Sequence, residues 1–104
     1  MTTSKAKSMN EIQIHQASFA LKALSHPLRL KILSVLDRNE VSVQDIVEQV
    51  GTTQSNISQH LALMREKGVL RTRRDANRVY YRVADKRTLE IINMIRDVFC
   101  AFSH

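Results

Sequence analysis

The segment Gln54–His60 contains side chains that are suited to reading DNA bases. A helix over this segment would turn Ile57 and Leu61 inward, because they are four residues apart, and would leave short polar groups outside. Glutamine can pair with adenine through two hydrogen bonds, and serine is short enough to approach a base edge or a phosphate. A surface helix that only faces water is usually rich in Lys and Glu instead. The segment therefore predicts a helix that reads DNA.

Basic residues cluster just after this segment. Between Arg65 and Arg82, Lys and Arg exceed Asp and Glu by five, so this stretch holds most of the formal net charge of +6. A solvated charged face is the alternative explanation. Beside a DNA-reading helix, however, the cluster favours contact with phosphates or with an adjacent minor groove. The residues predicted to contact DNA are Gln54, Ser55, Asn56, Ser58, Gln59, His60, Arg65, Arg73, Arg74 and Arg78.

Hydrophobic periodicity predicts five helices that position these side chains. The first two are separated at Pro27, because proline disfavours helical geometry in the residue before it and suits the first turn of a new helix. Arg29 in the second helix is expected to face water. Ser42 and Thr52 or Thr53 are predicted caps of the next two helices. The predicted ranges are 10–24, 27–38, 42–51, 53–68 and about 85 to near the end.

The periodicity changes from helical to alternating after Gly68. Val69–Arg74 and Val79–Val83 predict two strands, and the Asp and Asn between them favour a turn. Tyr80 and Tyr81 are better explained by packing in this hairpin than by base stacking. The resulting order predicts a mainly α (α+β) winged helix-turn-helix, with five helices and a two-stranded β-hairpin wing.

The last helix is apolar at positions 89, 91, 92, 94, 95, 98, 99 and 102, which is more than one stripe. A helix that is apolar over most of its circumference is buried on two sides. We therefore expect a homodimer through the terminal helices. In such a dimer, two DNA-reading helices about 34 Å apart would enter successive major grooves of double-stranded DNA and read a palindromic operator.

The composition predicts one globular domain and excludes other classes. Residues 1–9 lack apolar periodicity and are predicted to be a disordered tail, and residues 10–104 to be the DNA-binding and dimerisation domain. No apolar run is typical of a signal peptide or a bilayer span, so we expect a cytoplasmic protein without membrane contact. No phosphate loop or nucleophile with a positioned base is present, which argues against an enzyme, and no cofactor is expected. A winged helix that contacts only proteins stays an alternative.

Four stretches together resemble the ArsR/SmtB family of winged-helix repressors, over about residues 14–102. They are LKALSHPLRLKIL (21–33), EVSVQDI (40–46), TQSNISQHLALMREKGVL (53–70) and RDANRVYYRV (74–83). The resemblance implies a cytosolic homodimer that represses its operon until an inducer releases it from DNA. It also places Gln54, Ser55, Ser58 and Gln59 on the base-facing side.

Many members of this family sense metals, but the ligands of the two family sites are not matched here. Ser42 and Gln44 stand where one site needs thiolates, and neither is a good ligand for a soft metal. The other site begins with an Asp-x-His pair, whereas Asp85 is followed by Lys86 and Arg87, whose charges repel a cation. The later ligand positions hold apolar residues. We therefore expect no metal, and a metal-responsive repressor would need a site outside the family pattern.

The sequence is also similar to the branch of the family that responds to sulfide, persulfide or oxidants. That branch pairs a cysteine in the second helix with one near the end of the last helix. Cys100 matches the latter, but Ser34 stands at the former, either because this protein senses differently or because serine replaces a cysteine in an engineered variant. A single cysteine excludes an intramolecular bridge, so Cys100 is the predicted covalent target of a reactive sulfur or oxidant inducer. The alternatives are an inert, buried thiol packed beside Phe99 and Phe102, or a regulator with no inducer.

Overall fold

The computed structural model describes residues 8–100, and over this range the predicted order of four helices, a hairpin and a final helix is confirmed. Residues 1–7, which are most of the predicted tail, and 101–104, which include Phe102, lie outside the described residues. The elements are α1 (Glu11–Leu24), α2 (Pro27–Leu36), β1 (Val41–Ser42), α3 (Val43–Val50), α4 (Gln54–Glu66), β2 (Leu70–Asp75), β3 (Arg78–Val83) and α5 (Lys86–Phe99).

Short polar side chains set the starts of the helices that flank the central turn. The Ser42 side chain accepts a hydrogen bond from the Asp45 backbone N–H, and the Thr53 side chain accepts one from the Asn56 backbone N–H. Both caps were predicted, and they pair backbone donors that a helix start leaves unsatisfied. Between them, Gly51 ends α3 with a φ of +83°, the left-handed region that favours glycine. The turn between α3 and α4 therefore follows from three local residues.

The wing belongs to a three-stranded antiparallel sheet in the order β1-β3-β2. In the hairpin, Asp75 lies opposite Arg78, so that two residues form the turn. Strand β1 pairs Ser42 with Tyr80, and the sequence did not predict it. A strand of two residues is too short to show the alternation from which strands are recognised. The expectation of a two-stranded sheet is therefore corrected to a hairpin with a third, short edge strand.

One aliphatic core joins the helices to the hairpin. Every helix contributes to it, as do β2 and β3, while Val41 of β1 packs against its edge. Its most buried members on α4 are Ile57, Leu61 and Met64, which fixes the rotation of α4 about its axis. The buried cluster consists of Leu24, Ile32, Leu33, Leu36, Ile46, Val50, Ile57, Leu61, Met64, Leu70, Val83 and Leu89.

The terminal helices leave most of their apolar side chains exposed in the protomer. Of the 14 residues in α1, Ala23 and Leu24 are buried, and of the 14 in α5, Leu89 is buried. Ile12 is 69% exposed and Phe99 is 73% exposed. The other large exposed apolar residues on these helices are Ile14, Phe19, Leu21, Ile91, Met94, Ile95 and Val98. None of the helices between residues 8 and 100 is long and apolar enough to span a bilayer.

Candidate nucleic-acid interface

The outer face of α4 is polar and uncharged over its first two turns. Because Ile57 and Leu61 point into the core, the residues between and before them, except His60, point to solvent. One of these, Asn56, donates a side-chain hydrogen bond to the Thr52 hydroxyl at 3.3 Å, which orients its amide. Of the residues predicted to read bases, Gln54, Ser55, Asn56, Ser58 and Gln59 are all exposed.

His60 lies apart from this exposed face. It is half-buried, and its ring centroid is 4.4 Å from that of His26. Its Nδ1 accepts a hydrogen bond from Arg29 Nε at 3.2 Å. Arg29 Nη1 also donates to the carbonyl oxygens of Lys22 and Ala23, at 3.1 and 3.2 Å. The expectation that Arg29 faces water is therefore wrong, because the end of α1 and the side of α4 offer it acceptors.

Two of the predicted wing arginines lie next to the hairpin turn with exposed side chains. Arg78 follows the turn directly, and Arg74 lies opposite Val79 one residue further from it. Arg65 is exposed in the last turn of α4. All three arginines are therefore exposed, one at the end of α4 and two beside the turn of the wing.

Arg73 differs from the other wing arginines because an acidic residue already pairs with it. Its Nε lies 3.0 and 3.1 Å from the two Glu40 carboxylate oxygens, and its Nη2 lies 2.9 Å from Oε1. The guanidinium carbon also lies 4.7 Å from the Tyr80 ring centroid. The hydrogen bond from Arg73 is the main cause of a lowered Glu40 pKa. Contact between Arg73 and a phosphate would therefore compete with Glu40.

Asp85, the first residue of the family metal pattern, is occupied by structural contacts. Its carboxylate caps α5 by accepting from the Arg87 backbone N–H, and it also pairs with the Arg87 guanidinium at 2.7 Å. These hydrogen bonds from Arg87 lower the pKa of Asp85 to about 2. Across residues 8–100, no three His, Cys, Asp or Glu side chains are grouped so that they could bind a metal ion.

Cys100 follows the end of α5 and is exposed in the protomer. It lies at the rim of an apolar groove of about 520 Å³, and the alternative of a buried thiol therefore does not describe the protomer. Ser34, at the position of the family's second cysteine, lines a different cavity of about 300 Å³ between α2 and α5. The groove beside Cys100 is lined by Leu21, Leu24, Ser25, Leu30, Ile92, Ile95 and Arg96.

The α3–α4 unit with its exposed polar helix, followed by an arginine-rich hairpin, defines a winged-helix DNA-binding regulator. Residues 26–72 match the family described as "Bacterial regulatory protein, arsR family". The chain is 34% identical to the biofilm growth-associated repressor of Xylella fastidiosa strain 9a5c over 91 residues, covering 88% of this chain and 80% of that protein. It is 34% identical to the transcriptional activator HlyU of Vibrio cholerae over 85 residues, covering 82% of this chain and 79% of HlyU.

The solved structures agree with the sequence relatives. HlyU from Vibrio cholerae N16961 superposes with a TM-score of 0.79 at 33% identity, covering 88% of this chain and 99% of the HlyU chain. The protein belongs to the ArsR family of DNA-binding transcriptional regulators. The family resemblance and the winged-helix fold are confirmed, and the relatives are regulators of transcription, not enzymes.

The contacts of His60 predict a dependence of stability on pH. Burial, followed by the charges of His26 and Arg29, lowers the pKa of His60 from its ordinary value of 6.5. The unfolded chain therefore binds this proton more readily, so the stabilisation is complete above pH 6.5 and is lost as the pH falls through the folded-state pKa. We expect the free energy of unfolding, measured by urea denaturation, to fall from pH 7 to pH 5.

His60→Asn is the matched control for this prediction, because asparagine does not titrate and its side-chain oxygen can accept from Arg29. The loss of stability between pH 7 and pH 5 should be smaller in this variant than in the wild-type protein. Parallel curves for the two proteins would contradict a contribution from His60.

Proposed function

We propose that the protein is a homodimeric transcriptional repressor that binds a palindromic operator and is released when an inducer modifies Cys100. The observation on which this depends most is the exposed, uncharged face at the start of α4. The chain would act in the cytoplasm, on double-stranded DNA, without a cofactor. Repression is supported by the name of the Xylella fastidiosa relative, whereas the name of HlyU favours activation as the alternative.

Base contact by α4 is supported by the way the helix is anchored. The buried residues hold one side of α4 against the core, so Gln54, Ser58 and Gln59 can meet a groove without rearrangement of the fold. Glutamine and serine discriminate bases by hydrogen bonds, and each good bidentate pair contributes about 1–3 kcal/mol of discrimination. Ser55 and Asn56 complete the predicted base-facing set, and His60 is proposed at its edge.

Backbone contact is proposed for the arginines that flank this face. Arg65 lies at the far end of α4, and Arg74 and Arg78 lie at the turn of the wing. Guanidinium groups bind phosphate oxygens through two hydrogen bonds, so these positions can fix the orientation of the protein on the duplex. Arg73 joins this set if the phosphate replaces Glu40 as its partner.

Dimerisation is supported by the apolar faces of α1 and α5. Large exposed apolar surfaces on soluble proteins mark places where another molecule binds. A second copy is the proposed partner, because a two-fold axis presents the same helices to each other and gives the two α4 helices the symmetry of a palindrome.

Induction through Cys100 is supported by its exposure at the apolar groove and by the absence of any other cysteine in the 104-residue sequence. The thiolate would attack a sulfur atom of a polysulfide, so that a new S–S bond to Cys100 forms while an S–S bond of the reagent breaks and a sulfur anion leaves. The groove lies between α1, α2 and α5, so a bulky adduct there would disturb the helices proposed to form the dimer. The alternatives to induction through Cys100 are a metal that binds at a site outside the family pattern and a regulator that has no inducer.

Acidic substitutions on α4 test DNA reading. Ser58→Asp and Gln59→Glu should each weaken binding to the promoter of the protein's own operon by about tenfold or more, because a carboxylate repels phosphates and loses a base contact. Fluorescence anisotropy with this promoter and a scrambled duplex measures the effect. Lys31→Gln is the control, since it makes the same change in net charge on α2. Full binding by both acidic variants would contradict base contact by α4, whereas a wild-type protein with no preference for the promoter over the scrambled duplex would favour a winged helix that contacts only proteins.

Charged substitutions on α5 test the dimer. Met94→Glu and Val98→Glu should convert the dimer to a monomer in analytical ultracentrifugation, because a carboxylate would be buried at the interface without a partner. Both side chains are exposed in the protomer, so the circular dichroism spectrum should stay unchanged. A wild-type protein that sediments as a monomer at tens of micromolar would contradict the proposed interface.

Treatment with an organic tetrasulfide or with hydrogen peroxide tests induction. Wild-type protein should carry the adduct on the peptide that contains Cys100 and lose DNA affinity by about tenfold or more, whereas Cys100→Ser should lack that adduct and keep its affinity. Mass spectrometry and anisotropy on the same samples separate the two events. Unchanged affinity in fully modified wild-type protein would exclude Cys100 as the sensor.

A further inference from the structure

A second group of arginines lies on the outer face of the wing sheet, further from the turn than Arg74 and Arg78. Arg71 on β2 lies directly opposite Arg82 on β3. Directly opposite residues in antiparallel strands face the same side of the sheet, and their neighbours face the other side. Leu70 and Val83 are such neighbours and are buried, so Arg71 and Arg82 occupy the solvent side.

This outer face is strongly basic. It borders a surface cavity of about 620 Å³, lined by Arg38, Glu40, Arg71, Thr72, Arg73 and Arg82. Four of the six lining residues are arginines and one is acidic, which leaves three positive charges in excess. Glu40 is already paired with Arg73, and the neighbouring charge of Arg82 also lowers the pKa of Glu40.

The remaining three guanidinium groups form no ion pair or side-chain hydrogen bond within the described part of the chain, and Arg82 acts on Glu40 through its charge alone. The ion pairs and side-chain hydrogen bonds between residues 8 and 100 include Arg73 but not Arg38, Arg71 or Arg82. Like charges that lie directly opposite each other across two strands destabilise a sheet. A face that served only for solubility would intersperse both signs of charge. The clustering of these three arginines therefore does not stabilise the folded chain by itself. A bound anion would supply the negative charge that balances them.

We propose that Arg38, Arg71 and Arg82 form a phosphate-binding surface for the DNA backbone, outside the base pairs that α4 reads. This inference rests on the proposed operator binding and extends it to a second surface. Arg82 is four residues from Arg78 beside the turn, which is about 13 Å along the strand. That length corresponds to a rise of about four base pairs along the duplex axis, so a duplex that contacts the turn can also reach Arg82. Guanidinium groups match phosphate oxygens in shape and charge.

The test is the double variant Arg71→Gln/Arg82→Gln, with Lys31→Gln/Lys86→Gln as a control that removes the same charge from exposed positions on α2 and α5. DNA affinity is measured by anisotropy from 50 to 300 mM salt, on the operator with flanking DNA. The arginine variant should bind about tenfold more weakly at low salt. The slope of log affinity against log salt should decrease by about 0.9 for each arginine removed in each bound copy. The preference for operator over scrambled DNA should stay unchanged, since phosphates are not specific to sequence.

Two further measurements distinguish this surface from a general charge effect. Glu40→Gln removes the acidic residue and should strengthen binding severalfold, with a steeper salt dependence. The melting temperature of Arg71→Gln/Arg82→Gln without DNA should equal or exceed that of the wild-type protein, because a repulsive cross-strand pair has been removed. A weaker affinity explained by misfolding would instead come with a lower melting temperature.

The outcomes separate this inference from the proposed function. An unchanged salt slope in the arginine variant, while wild-type protein still prefers its operator, would overturn the phosphate surface alone. A wild-type protein with no preference for its operator would overturn the proposed function. Titration with inorganic phosphate tests the other source of the same chemistry: saturable binding that needs Arg71 and Arg82, combined with an unchanged DNA slope, would show a site for a small anion and overturn the assignment to DNA.

Discussion

The burial of Ile57, Leu61 and Met64 is the packing constraint on which the rest of this structure depends. The three side chains follow one another at intervals of four and three residues, so they form one stripe along α4, and the core covers that stripe from α2, α3 and the sheet. Burial of this stripe fixes the rotation of α4 about its own axis, so the opposite face of the helix points to solvent. The polar residues there are exposed to solvent, and under the proposed function their side chains meet the bases.

Local signals in the sequence predicted the parts of the fold that local chemistry determines. The caps at Ser42 and Thr53, the turn at Gly51 and the alternating strands each depend on residues a few positions apart, so their patterns are visible without a structure. The contacts that were missed join distant residues. Arg73 meets Glu40 across 33 positions, and Arg29 meets His60 across 31. Neither pair has a periodicity, and charge alone does not reveal which arginine has a partner.

The positive charge of the wing is divided between two surfaces with different surroundings. By the strand register, Arg78 shares the outer face with Arg71 and Arg82, whereas Arg74 lies opposite Val79 on the other face. Counting basic residues along the sequence does not distinguish one wing arginine from another. Only the strand register shows which side chains share a face, and register is set by pairing over the whole hairpin. This explains why the basic run was recognised from the sequence while the pairing of Arg71 with Arg82 was not.

Ser42 has two structural roles at once, as the last residue of β1 and as the cap of α3. No linker residue separates β1 from α3 at this point, so the chain has no hinge between the sheet and the helix-turn-helix unit there. The wing and α4 therefore approach a duplex with a nearly fixed spacing. Where the distance between the wing and α4 differs from the distance between grooves in straight B-form DNA, the duplex bends because it deforms more easily than the protein. Operators with flexible pyrimidine–purine steps between the base pairs beneath α4 and those beneath the wing would then be favoured at base pairs that no side chain touches.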